Sequence, residues 1–435
     1  MLGRPARSEG TRSEDERDFL RLWASDAVSQ IGSQITLFAL PFTAVAVLHA
    51  SGDQVGVLQA LYTLPFLLVP LPAGLWLDNR SLRPVLIAMN LVCAVLVTSV
   101  PVAAAAGALG LAQLYVIAVL GGAATVTSDI AKLALLPRLV PTDRLASANS
   151  RLNANLAVGS TSGPGIAGWL SALVGAPNAL IADGLSYLFS AGTLSRMRYR
   201  DETRPERGEE GRNLRAEVTA GLRVVFGYAP LRNIAVHAAL FNACAQFVNV
   251  ALVVLLVRDR GYGGGAYGLV LVCGGIGGVT GTVSAPLLIR LLGPGSTIFM
   301  VVTAGVNAFW ILPAAGGSRA AVVALCAAGL FIGSASAGVG SVVSATLRHL
   351  VSPPDLHARV NAAYRLITFG AVPVGALIGG LLVERIGAHA TLWAVPPMML
   401  VSALPLALRP VRSLRGVTRP DAEDDVPTAA REGAG

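Results

Sequence analysis

Charge is what this 435-residue chain has least of: 13% of its residues are Asp, Glu, Lys or Arg, against 54% hydrophobic. A soluble domain carries about 25% charged residues, so composition excludes an ordinary soluble globule; mean hydropathy is +0.63. From Pro84 to Ser128 there is no Asp, Glu, Lys or Arg at all. That run is about twice the ~20 residues a membrane-spanning helix needs, and Pro101, Gly107 and Gly110 divide it into two helices. Catalytic signatures are missing too: no His-Glu-x-x-His, no Gly-x-Ser-x-Gly and no Walker A loop. His49, His237, His349, His357 and His389 do not cluster with acids in sequence. These absences disfavour an intramembrane enzyme or a receptor, and direct use of ATP. The four cysteines, Cys93, Cys244, Cys273 and Cys326, sit in apolar runs and read as small buried hydrophobes, not disulfides or metal ligands. Residues 1 to 18 carry both charge signs without an apolar h-region, so the first helix is expected to direct insertion.

What is present is a repeat. Aligned on itself at a shift of 212 residues, the chain pairs Gln34 with Gln246 (246 − 34 = 212), Gly56 with Gly268 and Asp143 with Asp355. Asn149 then meets Asn361, Gly163 meets Gly375, Gly168 meets Gly380 and Gly175 meets Gly387. No single pair carries weight in an Ala/Gly/Val-rich chain, but their even spread over both halves does. A duplicated helical membrane unit encloses a site at the interface of its repeats, the architecture of transporters.

Apolar runs and breakers predict twelve helices. The first six lie near 22–48, 55–77, 85–105, 111–133, 152–174 and 177–195. The second six lie near 234–257, 267–292, 297–312, 321–345, 364–383 and 391–408. The expected fold class is an all-α membrane protein of twelve transmembrane helices in two six-helix parallel repeats. Its expected parts are a disordered tail over 1–18, a six-helix bundle over 19–195, a linker over 196–232, a second bundle over 233–410 and a disordered tail over 411–435. In the linker, Leu214, Val218, Leu222 and Val225 recur at helical spacing. They predict either an amphipathic helix on the membrane surface or a helical approach to the seventh span.

Arginines crowd the loops before the first helix and after the second, fourth, sixth and twelfth; the opposite loops hold only Arg258, Arg260, Arg319 and Arg385. Both termini and the central linker are therefore expected in the cytoplasm. The net charge of +8 is read as topology signal and not as a nucleic-acid surface.

Ala73-Gly74-Leu75-Trp76-Leu77-Asp78-Asn79-Arg80-Ser81-Leu82-Arg83-Pro84 resembles the loop signature between helices 2 and 3 of the major facilitator superfamily. Leu136-Pro137-Arg138-Leu139-Val140-Pro141, continuing through Leu145, Ala148, Asn149 and Arg151, resembles its drug:proton antiporter branch, which contains macrolide-type and enterobactin-type exporters. So does Gly163-Pro164-Gly165-Ile166-Ala167-Gly168, followed by Asp183-Gly184-Leu185-Ser186-Tyr187. The resemblance covers about residues 19 to 410. It implies that Gly74 permits close helix packing while Asp78, with Arg80 and Arg83, forms a cytoplasmic latch against the start of the eleventh helix. The signature has a base directly after the acid and a second glycine where this chain has Asn79 and Ser81. The shift of 212 puts Arg290 opposite Asp78, so the latch is expected to be asymmetric. The resemblance also implies a bent seam at Gly159, Gly163, Pro164 and Gly168 between the halves. The branch often carries an arginine in the outer part of the fourth helix; Gln113 to Gly121 holds none.

Ionisable groups within a bilayer cost roughly 2.5 kcal/mol upward, which makes each a functional candidate. Asp26 and Asp183 read as unpaired carboxylates and lead as proton-coupling candidates, whereas Asp129 with Lys132 at i,i+3 reads first as a structural pair. For Asp183 the competing reading is a structural hydrogen bond to a hydroxyl such as that of Ser186. Gln30 and Gln34 in the first helix, with Asn242, Gln246 and Asn249 in the seventh, are candidate substrate-cavity amides. Their competing reading is interhelical hydrogen bonding. The expectation is a monomeric plasma-membrane transporter without cofactor, driven by the proton gradient and exporting amphipathic small molecules such as antibiotics. The alternative is uptake or flipping of a lysolipid or metabolite.

Overall fold

In this computed structural model the described residues are 9–78, 80–199, 214–351 and 357–407. The helices in chain order are α1 (Glu9–Ala46), α2 (Gly52–Thr63), α3 (Pro65–Leu68), α4 (Pro70–Asp78), α5 (Leu82–Ala105), α6 (Leu111–Leu139), α7 (Leu145–Val174) and α8 (Ala176–Ser195). They continue with α9 (Leu214–Gly227), α10 (Ala229–Val253), α11 (Gly264–Leu292), α12 (Pro294–Ala308), α13 (Ile311–Ala314), α14 (Arg319–Val351), α15 (His357–Ile386) and α16 (Ala388–Ala407). A π-helical segment, Val254–Asp259, extends α10.

Among the described residues nine helices are long and apolar enough to cross a membrane, ten if the bent pair Gly52–Leu68 and Pro70–Asp78 is one span. The protein is a multi-pass, all-α membrane protein. Helices satisfy their own backbone groups, as a bilayer demands, and large apolar side chains such as Val95, Val283 and Leu291 point outward. The 44° bend of that pair falls where Pro65 and Pro70 each remove an amide donor, so the predicted straight helix over 55–77 is broken. The predicted helix over 297–312 likewise ends early, and α13 follows around Pro313.

Two compact units divide the chain: Met1–Gly208 with Val253–Val272, and Glu209–Leu252 with Cys273–Gly435. The division differs from the predicted bundles at 19–195 and 233–410, because residues 253–272 pack with the N-terminal helices. The predicted disordered tail over 1–18 needs correcting: helix begins at Glu9. Asp18, 3% exposed, accepts hydrogen bonds from the backbone amides of Arg198 (2.9 Å) and Tyr199 (2.7 Å). This carboxylate satisfies the chain as it leaves α8. The tail over 411–435 lies outside the described residues, as does 200–213 of the linker; the linker's helical pattern appears as α9.

In the first unit α1 packs against α7 and α8, and α5 against α6 and α8. Leu22, Leu82, Leu86, Leu135, Leu139 and Leu194 form one leucine-rich core there. The α1–α7 pair runs parallel and in register. Asp26 meets Asn155, Gln30 lies against Gly159, and Gln34 against Gly163; each step is one helical turn on both partners. In the second unit α15 meets α10 in a similar way, with Gly375 on Ala243 and Gly379 on Phe247. Gly375 is the residue 212 beyond Gly163, so the two units use a glycine at the same repeat position.

Candidate coupling and substrate sites

Asp26 stands four turns into α1, not near its entry, because the helix starts at Glu9. Nor is it unpaired. Lys132 on α6, the only lysine of the chain, lies 2.5 Å from Asp26 Oδ1 and 2.9 Å from Asp129 Oδ1. Asn155 on α7 donates to Asp26 Oδ2 (2.9 Å), and Gln30 donates to Oδ1 (3.3 Å). The Asp26 side chain is 2% exposed and that of Asp129 is 43% exposed. Two carboxylates and one ammonium on α1 and α6 therefore form a single cluster of formal charge −1, sealed at one end and open at the other. Asn155 was absent from the sequence candidates. Its spacing of four from Gly159 and eight from Gly163 puts it on the face that meets α1, which is the signal that finds it.

Asp183 on α8 is fully buried and accepts hydrogen bonds from Thr36 and from Ser186 (3.0 Å). It has no cation partner among the described residues. A Cβ at Gly32 would collide with Asp183 and Ser186, so that glycine admits the carboxylate to the face of α1. One turn on, Ser33 and the Tyr187 hydroxyl are 3.0 Å apart. The hydroxyl partner expected of Ser186 is present, joined by Thr36.

The amide candidates separate. Gln30 serves the acid cluster, and Asn242 donates to the Thr368 carbonyl at 3.0 Å. Asn249 and Gln246 face each other at 3.5 Å. Gln34, half-buried, makes no hydrogen bond among the described residues. Asn242 also lines a cavity of about 430 Å³ within the second unit.

The latch residues have other local partners. A Cβ at Gly74 would meet nothing within 4 Å among the described residues, which corrects the expectation of close helix packing there. Asp78 is exposed, and Asn79 lies outside the described residues. Arg80 sits 5.1 Å from the ring centre of Trp76. Arg83 donates to the carbonyls of Leu194 (3.1 Å) and Ser195 (2.5 Å), closing the C-terminus of α8 where a cation is favoured. In the seam, Gly159 and Gly163 pack on α1 inside the first unit. Gly168 packs on Gly264 and Gly268 of α11, residues from the second half of the sequence that belong to the same first unit. The Pro164 carbonyl opposes Gly268 in the same contact.

Residues 15–427 match the model of the transmembrane secretion effector family. The chain belongs to that family, within the major facilitator superfamily. This secretion effector is a secondary transporter of the efflux type and not an enzyme. It is 27% identical over 398 residues to the multidrug efflux pump Tap of Mycolicibacterium fortuitum, covering 89% of this chain and 95% of that protein. Its fold resembles a variant of the nucleoside transporter NupG (TM-score 0.75, 11% identity, 90% of this chain, 99% of that one). It also resembles a bacterial homologue of the iron transporter ferroportin in an inward-facing state (TM-score 0.70, 18% identity, 90% and 98%). No group of three or more His, Cys, Asp or Glu suited to a metal occurs among the described residues.

Proposed function

We propose that the protein exports amphipathic small molecules from the cytoplasm in exchange for protons, by alternating access. The similarity to a multidrug efflux pump over 398 residues is the observation that carries the direction and the breadth of substrate. Counting α7, α8 and the bent α2–α4 segment with the nine long helices makes twelve spans, arranged as two six-helix repeats over about 19–195 and 233–410. Both termini and the linker then lie in the cytoplasm, as the arginine bias requires, and the transporter works as a monomer in the plasma membrane.

Coupling is assigned to Asp26, Asp129 and Lys132 together. With two carboxylates and one ammonium the cluster carries −1; one proton makes it neutral. Net charge inside a bilayer is expensive, so the loaded and empty forms favour differently hydrated conformations. Lys132 moves toward whichever carboxylate stays ionised, and Asn155 and Gln30 hold Asp26 in place. Asp183, which has hydroxyl donors only, is the comparison site.

The test uses proteoliposomes and a compound chosen by screening a panel of antibiotics and dyes against cells with and without the gene. Asp26→Asn should abolish uphill movement driven by a pH gradient while sparing downhill equilibration, because only the proton linkage is lost. Uphill pumping by both Asp26→Asn and Asp129→Asn would remove the cluster from the mechanism.

A further inference from the structure

The cavity in the second unit occupies the repeat position of the acid cluster in the first. Adding 212 to Asp26, Gln30, Asp129 and Lys132 yields Ala238, Asn242, Ser341 and Ser344, and all four line the cavity. Where the first unit fills this place with an internal ion pair, the second leaves about 430 Å³ empty. A volume of that order holds a small organic ligand.

Its charge is one-sided. Arg348 on α14 and Arg365 on α15 line it, and no carboxylate among the described residues does. In the described residues of this unit the only acids are Glu217 on α9 and Glu384. Glu384 lies nineteen residues beyond Arg365 on α15, about 28 Å along the axis. Arg348 is held rigidly: its guanidinium stacks 3.9 Å from the centre of the Tyr364 ring. It donates to Asn361 (3.0 Å) and Ser344 (2.8 Å). Asn361, Ser344 and the Tyr364 hydroxyl engage at most three of its five N–H groups, so at least two remain. Arg365 lies over Phe369 at 5.7 Å. His237 has Nδ1 2.8 Å from the Ser402 carbonyl; a carbonyl only accepts, so Nδ1 carries the proton and Nε2 is left for another partner. Phe241, Ile298, Val302 and Phe369 supply apolar wall.

We propose that this cavity binds the acidic headgroup, a carboxylate or phosphate monoester, of a single-chain amphiphile. A fixed guanidinium with spare N–H groups recognises such oxyanions in a forked geometry, a second guanidinium completes the charge, and the aromatic and aliphatic wall takes the start of the chain. The site deepens the efflux reading by naming its substrate class. Its source is either a transported solute or a lipid of the surrounding bilayer.

Dansylated undecanoic acid and its neutral methyl ester are titrated onto the full-length protein in nanodiscs of phosphatidylcholine. The acid should bind at least about tenfold more tightly than the ester, the gain expected of charge-assisted hydrogen bonds. Arg365→Gln, at an exposed position, and Arg348→Gln should each erase most of that preference, whereas Arg348→Lys should restore only part of it. Replacing roughly a third of the lipid with phosphatidylglycerol, whose headgroups make the surface anionic, identifies the source: loss of probe binding assigns the site to bilayer lipid, and unchanged binding assigns it to a solute. Equal affinity for acid and ester, or a preference that survives in folded Arg365→Gln, overturns the proposal. Proteoliposome transport keeps the two readings apart. Drug export without acid preference sinks this site alone, and acid binding without uphill export sinks the efflux reading alone.

Discussion

The chain holds one lysine, and folding puts it between two carboxylates contributed by α1 and its own helix. An ammonium at that depth is retained only with partners, since isolated charge in a bilayer is costly. Removing the cation while leaving Asp26 buried should therefore be worse than removing both. Lys132→Met is expected to destabilise the protein by roughly 3–5 kcal/mol, the cost typical of breaking a buried pair from one side. Lys132→Met with Asp26→Asn should recover most of this loss, because the carboxamide oxygen still accepts from Asn155 and its N–H reaches the Gln30 oxygen once that amide turns over, with no charge left buried. Thermal unfolding followed by size-exclusion in detergent measures both; a double variant as unstable as the single one contradicts the account. Asp26 looked unpaired in the sequence because its partner lies 106 positions away. Lys132 was legible only as the i,i+3 neighbour of Asp129. The scarcity of lysine was a visible signal that the residue was retained for a specific contact.

Between helices, what a glycine admits depends on what lies opposite. A Cβ at Gly163 would collide with the Gln34 Cβ, an atom that no change of rotamer moves. A Cβ at Gly375 would stand 2.5 Å from the Ala243 Cα and carbonyl oxygen, and backbone in a packed helix pair has nowhere to go. Gly163→Ala and Gly375→Ala should each cost about 1–3 kcal/mol, the usual range for overpacking, whereas Gly74→Ala, whose Cβ meets nothing within 4 Å among the described residues, should be mild. Side-by-side melting of the three alanine variants decides it, and losses at Gly163 and Gly375 no larger than at Gly74 would mean that both helix contacts yield. Gly163→Leu presses still more bulk against α1, so it should cut transport at near-normal expression. The glycine stripe of α7 was readable from spacing alone. Its partners were not, since one face meets α1 in its own unit and Gly168 turns to α11.

At the scale of the whole molecule the transport cycle needs a contact that forms in one state and breaks in another. Asp78 is exposed at the end of α4, so its neutralisation leaves folding intact and tests the proposed latch cleanly. Asp78→Asn is expected to bias the transporter toward the inward-open state and to slow export several-fold, as a charge contact of about 0.3–1 kcal/mol with a helix terminus allows. Single-cysteine labelling from the two membrane sides reads the bias directly. Labelling identical to the parent protein would leave Asp78 as a solvated loop acid.

Multi-pass membrane character, the 212-residue repeat and the family signature were legible in the sequence itself: apolar run length and breaker residues act over one or two turns or one loop. Tertiary structure alone decided which charges meet. Burial of Asp18 under the end of α8, the bridging of Asp26 and Asp129 by Lys132, and the pair of arginines around the second-unit cavity all join residues from separate helices. Side-chain electrostatics in a bilayer is set by distance and burial, and neither is encoded in neighbouring positions along the chain.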